Sequence, residues 1–427
     1  MSKMRAGDGR HGFVHAIGKW FLRASSKVGL SGLPFQIYVM LVLGFVFSIG
    51  RSIAFPYLAM FLTGKVEDGG LGFDPSFVGL MFMIGGLTYT FALLATGSLC
   101  DRFGRKKMMV VSIVPQVVLT AAYAFADTFL EFLLIYAVNG VVIAFYDPAF
   151  SAMVADLVGP ERREEVYGLS YMLSNIGTIF GPPIGGIIAA LSGYSVLFLY
   201  AAFFSAVCAF AIVLVIKESS PGGVSRISFN KFAGIFKDRI FILFCLMGTL
   251  TNVVYTQLYA LLSVYMQDVG FEPYFFGILF SVNGAMVVAL QIPIRKGTMR
   301  LGPVKAFLVA QLLYAVGFSY FMFAASFLEF LAGVVVLTLG EITFFPASQG
   351  FVANLAPADM RGRYMAMLGL FFGIGGSAGS QIGFSIFGML ADKRLIWGIL
   401  GIVGFATLLG YGYLLKITNR SNKRVAR

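Results

Sequence analysis

Charged residues are scarce in this chain of 427 residues. Asp, Glu, Lys and Arg make up 12% of it, whereas soluble domains hold about 25%. Apolar residues account for 58%, and the mean hydropathy is +0.85. This composition excludes a water-soluble domain and predicts a protein that is solvated by the lipid bilayer.

Cysteine and histidine are also rare, with three and two residues. Cys100, Cys208 and Cys245 are scattered in or beside apolar segments, which argues against a disulfide framework. The sequence has no paired metal ligands, no nucleotide-binding loop and no nucleophile elbow. We therefore predict no metal site, no cofactor and no enzyme.

Long apolar segments fill most of the chain. A membrane-spanning helix needs about 20 mostly apolar residues, and twelve segments meet that requirement. They are 36–62, 76–99, 108–126, 129–155, 164–191, 195–216, 240–266, 275–294, 304–324, 328–353, 364–388 and 395–416. The sequence thus predicts an all-α membrane protein with twelve transmembrane helices.

Basic residues lie almost entirely on one side of these predicted helices. If residues 1–35 are cytoplasmic, the cytoplasmic segments hold 28 of the 32 Lys and Arg residues. The others are Lys65, Lys393 and Arg394 outside and Arg51 within a helix. This asymmetry is the positive-inside pattern, so the net charge of +12 reflects topology and contact with anionic lipid rather than nucleic-acid binding. We predict a multi-pass protein of the plasma membrane with both termini in the cytoplasm.

We predict that the first 35 residues form a cytoplasmic N-terminal segment rather than a signal peptide, since they lack a compact apolar core. Apolar residues recur there at helical spacing, opposite a basic face. The apolar residues are Phe13, Ile17, Trp20 and Phe21. The residues of the opposite, basic face are His15, Lys19, Arg23 and Lys27. The spacing predicts an amphipathic helix on the inner membrane surface, with a disordered tail as the alternative.

A shift of 198 residues aligns the chain with itself. Pro148 and the run Val154-Ala155-Asp156-Leu157 then align with Pro346 and Val352-Ala353-Asn354-Leu355. The same shift pairs Arg102 with Arg300, Gly104 with Gly302, Lys107 with Lys305, Arg163 with Arg361, and Gly177, Gly181 and Gly185 with Gly375, Gly379 and Gly383. We infer two six-helix halves, 36–216 and 240–416, joined by a polar cytoplasmic linker, 217–239, and followed by a basic tail, 417–427.

The loop between predicted helices 2 and 3 reads Gly97-Ser98-Leu99-Cys100-Asp101-Arg102-Phe103-Gly104-Arg105-Lys106-Lys107. It fits the pattern G-x-L-x-D-R-x-G-R-[KR]-[KR] at every specified position. With this loop and the repeat, the chain resembles the major facilitator superfamily of secondary transporters. The resemblance implies two pseudo-symmetric six-helix bundles that hold substrate between them near the midplane of the membrane.

The resemblance also implies that this loop latches the two halves together on the cytoplasmic side. The gating residues are Gly97, Asp101, Arg102, Gly104 and Arg105, with Asp156 at the inner end of helix 4. Arg105 and Asp101 can pair with each other or with Asp156. In the second copy Met299 replaces Asp101 and Asn354 replaces Asp156, so we predict a latch in the first half only.

Predicted helix 5 carries a glycine and proline motif. Its residues are Gly168, Gly177, Gly181, Pro182, Gly185 and Gly186. The motif is similar to that of the twelve-helix drug/proton antiporter branch, which favours export. Glycines four residues apart form a flat face, and the proline removes a backbone hydrogen bond so that the helix can kink. One departure concerns helix 4, where those antiporters commonly have an arginine four residues before a glycine and this chain has Tyr136 before Gly140.

Three charged residues fall inside predicted helices. Counted from the cytoplasmic ends at 1.5 Å per residue, Arg51 lies roughly 22 Å deep, Glu341 about 18 Å and Asp147 about 12 Å. A charge at that depth costs at least about 2.5 kcal/mol, so each should face a cavity or a partner. We predict that one acid exchanges a proton while Arg51 favours its charged form in one conformation. Contacts of Arg51 with Glu341 and with Asp147 are both possible, and a static buried ion pair is the alternative.

Amide and tyrosine side chains on helices 1, 4, 7 and 8 are predicted to form the wall of a substrate cavity. They are Tyr57, Tyr136, Asn139, Asn252, Tyr255, Gln257, Tyr259, Asn283 and Gln291. Such amphipathic groups suit a large, weakly polar ligand. For any single one, hydrogen bonding between helices is the alternative role.

These features together predict a monomeric exporter of small amphipathic compounds that exchanges them for protons by alternating access. A proton-coupled importer of a small organic solute and a lipid or glycolipid flippase are the alternatives on the same scaffold. Helix 1 lacks the E-x-x-E-R of peptide carriers, and Lys217-Glu218-Ser219-Ser220-Pro221 matches the P-E-S-P-R of sugar carriers only in part. A transporter-like sensor or an intramembrane lipid-modifying enzyme is a third alternative.

Overall fold

The computed structural model describes residues 32–219, 235–357 and 360–425, apart from the side chains of residues 97, 98, 164, 299 and 419–425. Twelve long helices occur within these ranges. They are α1 Phe35–Thr63, α2 Pro75–Phe103, α3 Arg105–Ala122, α4 Phe129–Leu157, α5 Pro160–Ser192, α6 Tyr194–Val215, α7 Arg239–Asp268, α8 Pro273–Leu301, α9 Pro303–Phe321, α10 Phe327–Leu355, α11 Arg361–Met389 and α12 Leu395–Val425. The predicted amphipathic helix and most of the predicted linker lie outside the described residues.

Eleven of these described helices are long and apolar enough to cross a membrane. The remaining one is α3, because its 18 residues begin with Arg105, Lys106 and Lys107. It packs against α6 and α4 within the same bundle. It also contains most of the predicted span 108–126, so all twelve predicted segments are helical. The helices α8 and α12 differ most in length, since they continue past residues 294 and 416 to Leu301 and Val425.

Proline explains two interruptions in the spanning helices. A 3₁₀ turn, Phe55–Tyr57, interrupts α1, and Pro56 within it cannot donate a backbone hydrogen bond to Ser52. The helix of α4 breaks between Ile143 and Tyr146, and Pro148 just beyond leaves the carbonyl of Ala144 without its helical donor. A third interruption, Thr256–Leu258 in α7, has no proline.

Helices α1–α6 form the N-half and α7–α12 form the C-half. The halves meet where α5 packs along α8 and where α2 packs along α11. We call the end of the bundle with the α2–α3 turn, Phe103–Arg105, the basic face. The end with the α1–α2 connection, residues 64–74, is the opposite face. All the cations of the signature loop lie at the basic face.

Structural features recur at the predicted spacing of 198 residues. Gly104 and Gly302 have φ angles of 99° and 80°, and each makes the sharp turn between two antiparallel helices that a residue with a side chain would resist. Pro75 and Pro273 begin α2 and α8. Capping boxes begin α4 at Thr128 and α10 at Ser326. The repeat in the sequence is thus a repeat in the backbone.

Candidate functional site

A cavity of about 670 Å³ lies between the two halves. Helices α1, α2, α4 and α5 of the N-half form most of its wall, and α7, α8 and α11 of the C-half complete it. Aromatic rings from five of these helices face it: Phe47, Tyr89, Tyr136, Phe150, Tyr259 and Phe280. Its volume and its mixed aromatic and hydroxyl walls suit a small organic ligand.

Packing of α5 on α8 closes the cavity toward the opposite face. A Cβ at Gly186 would lie within 3.0 Å of the Tyr274 backbone, and a Cβ at Gly277 would lie within 3.0 Å of the Pro182 carbonyl. About one helical turn further toward the basic face, the Ser281 hydroxyl donates a hydrogen bond to the Ile179 carbonyl. Pro183 has no N–H with which to bond that carbonyl inside α5, so the acceptor is available to the other half.

Packing of α2 on α11 closes the cavity toward the same face, on its other side. Gln381 Nε2 donates to the Ser76 carbonyl at 3.2 Å, and the rings of Phe82 and Phe384 are 5.7 Å apart. A Cβ at Gly79 would lie 2.8 Å from Phe384. Both contact seams between the halves are therefore tight near the opposite face.

The seams separate toward the basic face. Gly168 lies five helical turns from Gly186 on the same side of α5, yet nothing lies within 4 Å of a Cβ placed there. The same holds for Gly369 on α11, four residues before Gly373, which packs against Thr90. The cavity is thus open toward the basic face and closed toward the opposite face.

Arg51 and Asp147 both line the cavity. Their side chains are exposed to it, although both residues lie well inside the helical bundle. Within the described part of the chain neither has a hydrogen bond or an ion pair. The predicted contacts of Arg51 with Asp147 and Glu341 are thus not made in this conformation, and the roles of the three residues stay predictions.

Glu341 lies behind the cavity wall, in the middle of α10. Its carboxylate accepts a hydrogen bond from Asn283 Nδ2 at 2.9 Å and from the Tyr259 hydroxyl at 3.3 Å. The Tyr255 hydroxyl donates in turn to that of Tyr259 at 2.8 Å. Because Tyr259 also lines the cavity, it is the link between the cavity and this enclosed acid.

Only two of the nine predicted cavity residues, Tyr136 and Tyr259, line the cavity in this conformation. The other seven are elsewhere, and several of them make hydrogen bonds within or between helices, which is the alternative role considered above. They are Tyr57, Asn139, Asn252, Tyr255, Gln257, Asn283 and Gln291. Tyr57, for example, donates to the Pro182 carbonyl, and Gln257 donates to the Gly379 carbonyl at 2.7 Å. In an apolar setting such polar groups are used for helix packing.

The residues that the sequence analysis missed follow helical spacing. Gly373, Gly376, Ser377 and Ser380 form one side of α11, and Ser170, Ser174 and Thr178 form one side of α5. Small residues at intervals of three and four were the available signal. What the spacing alone did not indicate is whether that side faced a cavity or a neighbouring helix.

The glycine motif of α5 brings this helix close to two others. A Cβ at Gly177, Gly181 or Gly185 would lie within 3.0 Å of α1, at Ser48, Ser52 and Ile53. Gly186 and Pro182 contact α8 as described above, whereas Gly168 faces open space. Gly375, Gly379 and Gly383 of α11 approach α7 in the same way. The motif glycines from Gly177 to Gly186 therefore fix how closely α5 can pack.

The signature loop forms a compact ionic cluster. Arg105 contacts Asp156 (Nε to Oδ2, 3.0 Å) and Asp101 (Nη2 to Oδ1, 3.2 Å), and the first contact has the geometry of an ion pair rather than a hydrogen bond. Glu218, after α6, accepts from the N–H groups of Arg105 and Lys106 at 2.8 and 3.1 Å and so caps α3. Of the other gating residues, Gly104 makes the turn and Arg102 lies 5.3 Å over the Phe103 ring. Gly97 lies within α2.

Known proteins resemble this chain over most of its length. The Na⁺, Li⁺, K⁺/H⁺ antiporter of Planococcus maritimus is 26% identical over 89% of this chain and 95% of its own. The multidrug resistance protein MdtH of Salmonella typhimurium is 24% identical over 96% of each chain. The peptide transporter POT in complex with sulfate shares the fold, with a TM-score of 0.77 at 16% identity over 91% of this chain and 95% of that one.

A family model matches nearly the whole described chain. It is the model described as Major Facilitator Superfamily, and it matches residues 40–380 and 254–427. The helices, the cavity between two halves and the relatives are all those of membrane transporters. The chain belongs to the Major Facilitator Superfamily.

Proposed function

We propose that this transporter exports small amphipathic compounds across the plasma membrane in exchange for protons, as a monomer that works by alternating access. The observation that carries the proposal is the cavity between the halves, which is closed toward one face and open toward the other. A carrier that alternates between two such states exposes its substrate to one side of the membrane at a time.

The positive-inside pattern supports an orientation with the basic face and both termini in the cytoplasm. The conformation described above is then open to the cytoplasm, ready to take up a substrate for export. The glycine motif of α5 and the names of two relatives, a multidrug resistance protein and a cation/proton antiporter, support the direction and the coupling. The proposal involves no covalent chemistry.

Glu341 is the favoured proton-carrying acid. Its carboxylate is enclosed by hydrogen-bond donors from α7 and α8, yet Tyr259 connects it to the cavity. A buried carboxylate that can be reached from one side only in each state is a means of coupling proton movement to the conformational cycle. Asp147, which faces the cavity directly, is the second candidate.

The test is transport by protein reconstituted into vesicles with an imposed pH gradient. Cationic dyes, fluorescent lipids and sugars serve as probes, so that efflux, flipping and uptake are separated by probe and by direction. We expect dye export driven by the gradient, and its loss in Glu341→Gln. The matched control is Glu329→Gln, at the exposed start of the same helix. Full gradient-driven transport by both Glu341→Gln and Asp147→Asn would rule out the proposed coupling.

A further inference from the structure

The cavity presents two opposite charges to any molecule that enters it. Arg51 projects from α1 and Asp147 from α4, and each is exposed to the same space. The two groups are near enough to interact electrostatically, yet no N···O distance between them is 4.0 Å or less. The space between the two groups can therefore hold the polar groups of a ligand.

Each charge is stabilised by the end of an interrupted helix. Arg51 lies in the last turn of the Phe35–Ala54 segment of α1, where the carbonyl ends of the helix favour a cation. Asp147 lies in the first turn of the Tyr146–Leu157 segment of α4, where the N–H groups favour an anion. The interruptions near Pro56 and Pro148 create these two ends. Each helix end therefore favours the charged form of the side chain beside it.

Glu341, unlike Arg51 and Asp147, is not placed to bind a ligand in the cavity. It lies in an uninterrupted helix, outside the cavity wall, and its carboxylate already accepts hydrogen bonds from Asn283 and Tyr259. A ligand in the cavity thus meets one cation and one anion, both without partners in the described part of the chain, and it does not meet the third charge.

We infer that the cavity binds a zwitterion with an aromatic body, whose carboxylate pairs with Arg51 and whose ammonium group pairs with Asp147. The inference rests on the proposed transport function and names its substrate class. Arginine suits a carboxylate because its N–H groups can donate to both oxygens. A ligand with one charge leaves the other cavity charge facing only water, whereas a zwitterion satisfies both.

The aromatic part of the ligand follows from the remaining wall. Phe47, Phe55 and Phe150 of the N-half and Phe280 of the C-half face the space around the two charges. Tyr89 lies close to both Arg51 and Asp147 and can hydrogen-bond a ligand between them. Rings on both halves allow a flat apolar body to stack while its polar end reaches the charges.

The experiment compares three probes of the same length that differ only in charge. Nε-dansyl-lysine is a zwitterion, dansylcadaverine is its cation-only counterpart, and 6-(dansylamino)hexanoate is its anion-only counterpart. Dansyl fluorescence reports equilibrium binding to the full chain in lipid nanodiscs without any ion gradient. We expect the zwitterion to bind at least about tenfold more tightly than either singly charged probe, since charge-assisted hydrogen bonds contribute about that much.

Two variants assign the charges. Arg51→Gln should weaken binding of the zwitterion and the anion about tenfold and leave the cation unchanged. Asp147→Asn should weaken the zwitterion and the cation and leave the anion unchanged. The matched controls are Arg394→Gln and Asp392→Asn, a surface pair 3.4 Å apart outside the cavity, which should alter none of the affinities.

Equal affinity of the wild-type chain for all three probes would overturn the inference, and so would unchanged zwitterion binding in both cavity variants. These readouts need neither a gradient nor a direction of transport. Failure of proton coupling in the vesicle assay therefore leaves the binding result intact, and failure of zwitterion binding leaves the coupling result intact.

Discussion

The two halves of this transporter share one backbone plan and carry different charges. Shifted by 198 residues, Arg51 corresponds to Thr249, Asp147 to Phe345 and Glu341 to Ile143. Asp156 corresponds to Asn354, while Pro75 and Pro148 recur as Pro273 and Pro346, and the glycine turns, the capping boxes and the glycine rows of α5 and α11 recur as well. The repeat thus preserves what shapes and packs the helices, and each half has its own chemistry in the space between them.

The largest expected effect is a difference in stability between alanine substitutions at two glycines that the repeat pairs. A Cβ at Gly185 would lie within 3.0 Å of the backbone of Ile53, whereas a Cβ at Gly383 would meet only the end of the Gln257 side chain. Backbone cannot yield locally, so we expect Gly185→Ala to cost about 3 kcal/mol of stability. Gly383→Ala should cost about 1 kcal/mol, because Gln257 must give up its bond to Gly379.

Thermal unfolding of the purified variants in detergent measures this difference. Gly369→Ala is the matched control, since a Cβ there meets nothing within 4 Å. If Gly185→Ala and Gly383→Ala lower the melting temperature equally, the two glycine rows are interchangeable and the contact with backbone is not decisive.

The second effect concerns the ionic cluster of the signature loop, whose two acids are replaced in the sequence of the C-half. Asp156→Asn gives the N-half the residue that the C-half has at Asn354, and it removes one of the two acids paired with Arg105, whose side chain is only 13% exposed. Arg105, Asp101 and Asp156 all belong to the N-half, so their contacts do not themselves join the halves but shape the loop that the sequence predicts to latch the state closed at the basic face. Disrupting that loop should shift the protein toward the state open at the basic face, about fivefold for a loss near 1 kcal/mol. Asn354→Ala should change little.

Labelling of a cysteine at Gly369→Cys, in a background without Cys100, Cys208 and Cys245, reports that opening. Gly369 faces open space in the present conformation, so its labelling rate rises with the open population. Equal changes from Asp156→Asn and Asn354→Ala would show that the cluster is not one-sided.

Sequence patterns predicted the elements of this fold well because lipid imposes simple requirements. In lipid, an apolar run of about 20 residues satisfies its backbone polar groups as a helix, and all twelve predicted segments are helical. The breaks at Pro56 and Pro148 were readable in principle, since proline cannot donate a backbone hydrogen bond. Asp147 and Arg51 were found because charge inside a membrane needs a cavity or a partner.

The cavity wall was predicted poorly for a physical reason. In a membrane helix, Gln257 and Asn252 can satisfy their polar groups on backbone carbonyls of their own or a neighbouring helix, so polarity does not mark the cavity. Ser377 and Ser380 line it, although serine is equally common between packed helices. Which side of a helix meets open space depends on the spacing between helices, and a single sequence does not specify that spacing.

The third prediction has the opposite sign to the second. Ser281→Ala removes the hydrogen bond from α8 to the Ile179 carbonyl at the closed end of the cavity. The population of the state closed at the basic face should therefore increase. Hydrogen bonds between membrane helices average about 0.6 kcal/mol, which corresponds to a threefold drop in Gly369→Cys labelling. Ser348→Ala is the control, because its hydroxyl bonds within its own helix at 2.7 Å. A rise in labelling would contradict the assignment.

The smallest effect tests the capping boxes of α4 and α10, which occur in both halves. Glu131 Oε2 accepts from the Thr128 N–H at 2.9 Å, and Glu329 Oε2 accepts from the Ser326 N–H at 2.7 Å. Because the two caps are built alike, Glu131→Ala and Glu329→Ala should each destabilise the protein slightly and lower the melting temperature equally. Neither should alter labelling of Gly369→Cys. Unequal losses would mean that the halves differ in their helix ends as well as in their charges.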